Sequence, residues 1–327
     1  MKNGHASPLD VSRTFKGARL VVVGGTGFLG KVWLSLLLER YPEVGKIFLV
    51  VRSKANRDSE ARFWTDIAGS KTFDPLRTRY PGAAFEDFLR EKVAVLDADV
   101  SKPLCGITGD LLRELTGTVH AVVNVAGVVD FNPPLDEAML TNAAGVQNLI
   151  VLAAALGDVP ILHTSTCYVA GYRSGRIQEC DPRDFPFPRY EEVKNARWEP
   201  AREITEGLVL VRSIKRHVDD AFRVTALEEE ARKNLERKGE PTRGPIFEAE
   251  YKKVRDKHIA AETERIGMER ATWWGWPNTY TYTKSLGEQV LAGSGLPFTI
   301  VRPSVIESSI RYPFPGWNEG INTMAPI

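Results

Sequence analysis

The chain has 327 residues, 43% of them hydrophobic and 26% charged, and its 43 Lys and Arg against 42 Asp and Glu leave a formal net charge of +1. Such a composition supplies a core for one large α/β domain with an insertion, or for two domains, and excludes global disorder. The charge balance gives no overall electrostatic reason to expect a nucleic acid as partner.

The first residues, "MKNGHASPLDVSRTFKGARL", lack the apolar core of a secretory signal, and no apolar run approaches the ~18 residues of a membrane span. Cys105, Cys167 and Cys180 show neither disulfide nor metal spacing. The expectation is a soluble, cytoplasmic protein, with peripheral membrane contact left open and oligomeric state unspecified.

From there, short apolar runs alternate with amphipathic segments: "RLVVVGG", "LGKVWLSLLLERY", "KIFLVVR", "EKVAVLDAD", "HAVVNVAG", "LDEAMLTNAAGVQNLIVLAAAL" and "PILHTST", with a sixth strand-like run, "FTIVRPS", near the end. Buried runs of this length separated by helical patterns predict βαβ units, hence an α/β fold of the Rossmann type with a doubly wound parallel sheet.

In "VVVGGTGFLGKVWL" a strand passes into a helix through Gly24, Gly27 and Gly30. Glycines at this spacing permit a tight turn and a close backbone approach to a pyrophosphate, which the helix N-terminus then faces. Thr26, Phe28 and Leu29 lie between them and are expected cofactor contacts. The next strand ends in "VVRSKANR" and offers Arg52 and Lys54, where an NAD site places a carboxylate for the ribose hydroxyls. A guanidinium suits a 2′-phosphate, so NADP(H) is favoured over NAD(H). Asp99 and Val100 follow the third strand, where the carboxylate could accept from an adenine amino group. Val125, Ala126 and Gly127 follow the fourth and would put small residues under the cofactor, although turn or capping roles suit these positions nearly as well.

"ILHTSTCYVAGY" ends the fifth strand with the hydroxyls of Thr164, Ser165 and Thr166, at the edge of the sheet where open α/β folds bind ligands. Beyond it the pattern breaks. Residues 190–270 are rich in charge and helix formers, and the "GEPTRGP" segment at 239–245 punctuates them into at least two helices, an αα-hairpin by pattern. A solvated helical excursion and a substrate lid or docking surface both fit this stretch. The organisation expected is thus a Rossmann domain over 1–189, a charged helical insertion over 190–270, a return to the Rossmann domain over 271–305, and the beginning of a substrate-binding part over 306–327.

"WPNTYTYTKSLGEQ", residues 276–289, holds two tyrosines and a lysine. On a helix Tyr280 and Lys284 share a face, whereas Tyr282 points away and is either packed or solvated. An ammonium beside a phenol favours phenolate, which would lower the Tyr280 pKa toward the working range of an acid or base.

Taken together, "GGTGFLG", "STCYVAG", "YTYTK" and "VRPS" resemble the extended short-chain dehydrogenase/reductase superfamily. More narrowly, "RYPEVGKIFLVVRSK", "VVDFNPPLDEAMLTNAAGVQNL", "WPNTYTYTKSLGEQ" and "RYPFPGW" look like the fatty acyl-CoA reductases, relatives of the reductase domains that release thioesters from carrier proteins. The resemblance covers nearly the whole chain outside 190–270. It implies that Tyr280 is the proton donor, that Lys284 binds the nicotinamide ribose and tunes the tyrosine, and that Thr166, with Ser165 as near rival, polarises the carbonyl. Asn142 matches a structural or proton-relay asparagine, with a helix-cap role as the alternative, and Pro303 and Ser304 of "VRPS" join the cofactor contacts. The implied reaction is NADPH-dependent reduction of a long-chain acyl thioester, on CoA or acyl carrier protein, through an aldehyde to the alcohol. Release at the aldehyde stays open. So do an epimerase or dehydrogenase acting on a sugar nucleotide or other small molecule and, least favoured, a non-catalytic NADP(H)-binding scaffold. Two departures stand out: the long 190–270 segment, and the position of Ile327, beyond which the family continues into a substrate-binding part.

Overall fold

The computed structural model describes residues 10–54, 56–193 and 195–320. The expectations for residues 1–9 and 321–327 lie outside the described residues. Two compact units emerge: one contains residues 10–126, 148–165 and 295–320, the other 127–147 and 166–294. The segment expected as a single return to the Rossmann domain, 271–305, is divided between them. Its tyrosine helix belongs to the second unit and its strand to the first.

The first unit is built on six parallel strands, β1 (Arg19–Val23), β2 (Lys46–Val50), β3 (Val93–Leu96), β4 (Ala121–Asn124), β5 (Ile161–Thr164) and β6 (Phe298–Val301). Their order, β3-β2-β1-β4-β5-β6, is that of a doubly wound dinucleotide-binding sheet, as expected from the sequence. The register pairs Val21 with Phe48 on one side and with Val122 on the other. Apolar residues, many of them β-branched, dominate β1, β2 and β4, and nearly all of these side chains are buried, so the strands read as apolar runs. The edge strand β6 instead alternates half-buried and exposed positions. The order reverses between β1 and β4, and in such sheets ligands sit beyond the carboxyl ends of the strands at this point.

The helix Phe28–Arg40 leaves β1 directly and buries Leu34, Leu37 and Leu38 against the sheet. A chain segment from the far end of the sequence runs along another stripe of the same helix. The Trp317 ring stacks on Phe28 at 4.8 Å and 8°, Glu319 pairs with the buried Lys31 and accepts from Ser70 Oγ at 2.5 Å, and the Tyr312 hydroxyl lies 3.1 Å from Ser35 Oγ. Phe28, Lys31 and Ser35 are spaced by three and four residues, so one helix face carries all three contacts. The "RYPFPGW" stretch is therefore a strap over the helix that opens with the glycine-rich loop.

The second unit is mainly helical. Helices Pro200–Val218, Ala221–Lys238 and Pro245–Trp274 occupy most of the 190–270 segment. The last two form the expected hairpin, closed by Gly239 in the left-handed conformation and restarted at Gly244. Its far part has a small core of its own, Leu227, Ala231, Leu235, Val254 and Ile259, with Val218. The near part is not a solvated excursion. Ile204, Val211, Ala271 and Trp274 pack with Tyr282 and Leu286 of helix Thr279–Ala292 in one cluster.

Contrary to the reading of apolar runs, the helical stretch Leu135–Ala155 is long and apolar enough to cross a membrane by length and composition, with a mean hydropathy of 1.4, but half of that stretch is buried inside the protein. Burial of that extent is what a core helix requires.

Trp317 is 3% exposed and anchors the strap. Trp317→Ala is expected to destabilise the protein by about 3–5 kcal/mol, the usual range for deleting a buried large aromatic, measured as the change in unfolding free energy in urea; a change within about 0.5 kcal/mol would show that the strap contributes nothing to stability.

Candidate active site

In the first unit the glycine-rich loop lies at the point where the sheet order reverses. Gly24 has φ +95°, and a Cβ there would collide with the backbone of Val125 and Ala126, which follow β4. A Cβ on Gly30 would be driven into the Gly24 carbonyl. The loop is closed by a bond from Gly27 N–H to Gly24 O at 3.1 Å, and Gly27 caps the helix with no side-chain hydrogen bond. The first N–H groups of the helix, at Phe28, Leu29 and Gly30, are left without a side-chain cap, which is the arrangement that receives an anion. Thr26 is half-buried beside them. Below the loop, Asn124 Oδ1 accepts from Ala126 N–H at 3.0 Å while its amide lies 3.0 Å from the buried His163 Nδ1.

Arg52 and Lys54 are both exposed beyond β2. Arg52 Nη1 stands 3.9 Å from Asp99 Oδ2, while Asp99 Oδ1 accepts from Ser101 N–H and Oγ, both at 2.9 Å. Asp99 thus shapes its own turn with one oxygen and faces the basic group with the other. The Val100 side chain is buried and its carbonyl accepts from Asn148 Nδ2 at 2.8 Å. Pro303 is half-buried and Ser304 exposed just beyond β6. Ser165 N–H is bound to Val301 O at 2.8 Å, and its buried hydroxyl has no hydrogen-bond partner among the described residues.

The second unit brings together Thr166, Tyr280, Lys284, Asn142 and Gly127. Asn278 opens the helix Thr279–Ala292 by accepting from Thr281 N–H at 2.9 Å, an N-cap of the usual kind. Thr166 opens a short turn, Cys167–Ala170, and its hydroxyl oxygen accepts from Tyr168 N–H at 3.3 Å. The Thr166 hydroxyl stands near enough to the Tyr280 hydroxyl to favour its phenolate form. Tyr280 also donates its backbone N–H to Phe131 O at 3.2 Å and meets the half-exposed Phe131 ring edge-on at 6.1 Å.

Burial raises the Tyr280 pKa and the neighbouring Thr166 hydroxyl opposes that rise. The direction is opposite to the expected lowering by Lys284, because removal from water disfavours phenolate and outweighs the neighbouring groups. Lys284, 3% exposed and one turn along the same face, is pushed down to about 8 by burial, with the Glu288 carboxylate pulling the other way.

Asn142, in a π-helical turn spanning Met139–Ala143, spends its amide on structure. Its oxygen accepts from Val128 N–H at 3.0 Å, and its nitrogen donates to Val128 O at 3.1 Å and Thr283 Oγ at 3.2 Å. This clamp holds the 127–128 backbone against the tyrosine helix, so closely that a Cβ on Gly127 would stand 3.0 Å from Lys284 Nζ. Among the described residues no cluster of potential metal ligands is found, and the three cysteines are free.

A family model for male sterility protein, an NAD-binding family, matches residues 22–327. The chain belongs to the male sterility protein family. Within reach of this family, the chain is 32% identical over 323 residues to probable fatty acyl-CoA reductase 5 of Arabidopsis thaliana, an alignment covering 98% of this chain and 58% of that protein. It is 30% identical over 309 residues to the alcohol-forming fatty acyl-CoA reductase of Simmondsia chinensis, covering 93% and 55%. The chain therefore spans a little over half the length of these relatives. The crystal structure of the terminal R domain of the myxalamid PKS-NRPS pathway shares the fold, with a TM-score of 0.52 and 18% identity over 92% of this chain and 51% of that one. The fatty acyl-CoA reductase resemblance read from the motifs is borne out.

For this male sterility protein family member, Gly30 offers a direct test of the loop. Gly30→Ala is expected to abolish nicotinamide dinucleotide binding, because the helix must move off the Gly24 carbonyl and its N–H groups lose their aim. Titration by cofactor fluorescence would show this; native affinity in the variant would exclude the loop as the phosphate site.

Proposed function

We propose that the protein reduces long-chain fatty acyl thioesters, carried on coenzyme A or an acyl carrier protein, with NADPH as reductant and the alcohol as product. The observation that carries this reading is the Tyr280–Thr166 hydroxyl pair with the buried Lys284 one turn away on the tyrosine helix. The names of the two plant relatives support the substrate class and, in one case, the alcohol as product.

The residues fit a dinucleotide: the glycines leave space that any Cβ would fill, and the uncapped helix N-terminus presents its N–H groups. Gly24, Gly27, Phe28, Leu29 and Gly30 would hold the pyrophosphate, and Arg52 and Lys54 a 2′-phosphate. When bound, NADPH supplies the hydride.

The chain's own part is to manage the oxygen and its proton. The Thr166 and Tyr280 hydroxyls act as donors to the oxyanion that develops on a carbonyl, a stabilisation that grows toward the transition state. Tyr280 then delivers its proton when a carbonyl becomes an alcohol. Its raised pKa keeps the phenol protonated at neutral pH, which suits a donor. The half-exposed Phe131 ring against the tyrosine offers apolar surface suited to an acyl chain.

NADPH oxidation with palmitoyl-CoA, with thiol and lipid products measured together, tests the reading. Two NADPH per thiol and hexadecanol are expected; one NADPH per thiol would make aldehyde the product, and oxidation without thiol release would reject thioester reduction. Tyr280→Phe is expected to lower turnover by at least about 100-fold, with NADPH affinity retained, and unchanged turnover would reject the catalytic assignment. Arg52→Ala should raise the KM for NADPH about tenfold or more and leave that for NADH unmoved; equal effects on both would remove the basis for NADPH.

The pH dependence follows from Lys284, whose pKa falls to about 8 from the ordinary 10.5. In the folded protein its ammonium is lost above about pH 8, so kcat/KM should fall on that side. Between about 8 and 10.5 the unfolded chain binds more protons, so this group makes stability rise with pH through the same window. A rate that falls while the unfolding midpoint holds or climbs identifies deprotonation; a midpoint falling in parallel would reject it.

A further inference from the structure

We infer that Glu203, acting through Tyr282, is a positioning residue for the Tyr280–Thr166 pair. The inference rests on the catalytic reading above and extends it to a residue in the charged 190–270 segment.

Glu203 lies on helix Pro200–Val218 and is 5% exposed. One of its oxygens, Oε1, accepts from Arg270 Nε at 3.0 Å and Nη2 at 2.6 Å, from Trp274 Nε1 at 2.9 Å and from the Tyr282 hydroxyl at 2.5 Å. Three helices thus meet at a single carboxylate oxygen. The Arg270 guanidinium supplies the counter-charge that a buried carboxylate needs.

Tyr282 sits midway between Tyr280 and Lys284 on the helix and points to the opposite side. It is fully buried, and neither an ordinary packing tyrosine nor a solvated one needs a carboxylate. A bond from its hydroxyl to a fixed acceptor sets the rotation of the helix about its own axis. Since Tyr280 and Tyr282 project from nearly opposite faces, a rotation that loosens one displaces the other.

The second arm reaches Thr166. The Tyr282 ring packs against Trp276 at 5.6 Å between centroids, and Trp276 Nε1 donates to Val169 O at 2.8 Å. Val169 belongs to the Cys167–Ala170 turn that Thr166 opens. Trp276 is 1% exposed and also meets Trp198 at 5.7 Å. The same buried cluster therefore holds the helix bearing one hydroxyl and the turn bearing the other. Both members of the Tyr280–Thr166 pair are held in place by it.

Removing Arg270 or Glu203 outright would strand a buried charge and risk the fold. Tyr282→Phe and Trp276→Phe instead each delete one neutral donor and keep an aromatic ring. In the full chain, with kcat normalised to NADPH-binding sites, each is expected to lower kcat by about 10- to 100-fold, with the KM for NADPH within about twofold and the Arg270–Glu203 pair retained. A structural role alone would reduce the number of binding sites or the unfolding midpoint and leave kcat per site native, and that result in Tyr282→Phe overturns the inference. Tyr280→Phe is the control. Native turnover there would sink the catalytic reading itself, whereas an inactive Tyr280→Phe beside a native Tyr282→Phe overturns the positioning role alone.

Discussion

The Glu203 carboxylate takes four hydrogen bonds on one oxygen, and the second unit is arranged around that convergence. A buried anion is tolerated only when paired and fully hydrogen-bonded, so the helices that supply Arg270, Trp274 and Tyr282 have little freedom to slide or turn. Apolar packing cannot impose this by itself: Leu286 and Ile204 would accept neighbouring rotations of the tyrosine helix at small cost, whereas a 2.5 Å bond to a fixed oxygen would not. The polar centre gives direction and the apolar cluster gives burial. Asn142 serves the same end from another side, since its clamp on Val128 and Thr283 spends every amide hydrogen on position.

In the first unit the governing constraint is the empty space that glycine leaves. The helix Phe28–Arg40 starts so close to the end of β1 that only a hydrogen fits at Gly30. That closeness aims the free N–H groups at the crevice where the sheet order reverses. A loop held only by one internal hydrogen bond would be soft, and the strap stiffens it from outside, with Trp317 on Phe28 and Glu319 on Lys31. The buried Lys31 ammonium finds its counter-charge in Glu319.

The sheet was legible because buried parallel strands write themselves as short apolar runs rich in β-branched residues, and "RLVVV", "KIFLV" and "AVVN" do so. The spacing of Tyr280 and Lys284 on one face followed from helix geometry alone. What stayed hidden was of two kinds. Residues 59–92 fold into short helical pieces whose Phe63, Phe73, Leu76 and Leu89 complete the core, and no single piece is long enough for its period to be read. Glu203, Arg270 and Tyr282 were hidden by their type: in a segment full of Glu and Arg, the one carboxylate that is buried looks like its solvated neighbours. The "YTYTK" repeat held a faint signal, for a second tyrosine on the far face of a buried helix needs a partner for its hydroxyl.

Burial also explains why the Tyr280 pKa rises while the Lys284 pKa falls. Taking a phenol out of water raises its pKa, and taking an ammonium out lowers it, because both changes disfavour charge. The two groups therefore do not rest as a phenolate beside an ammonium near neutral pH. Tyr280 keeps its proton, and Lys284, with a pKa of about 8, still carries its charge. That combination suits a reduction, in which the tyrosine must give a proton to a forming alkoxide and the nearby cation eases the appearance of negative charge on the phenol afterwards. An oxidation would need the reverse starting state, a phenolate ready to accept, and at this site that state is the one that burial opposes. The same desolvation that costs stability at Lys284 thus holds the site in the protonation state from which the proposed reduction starts.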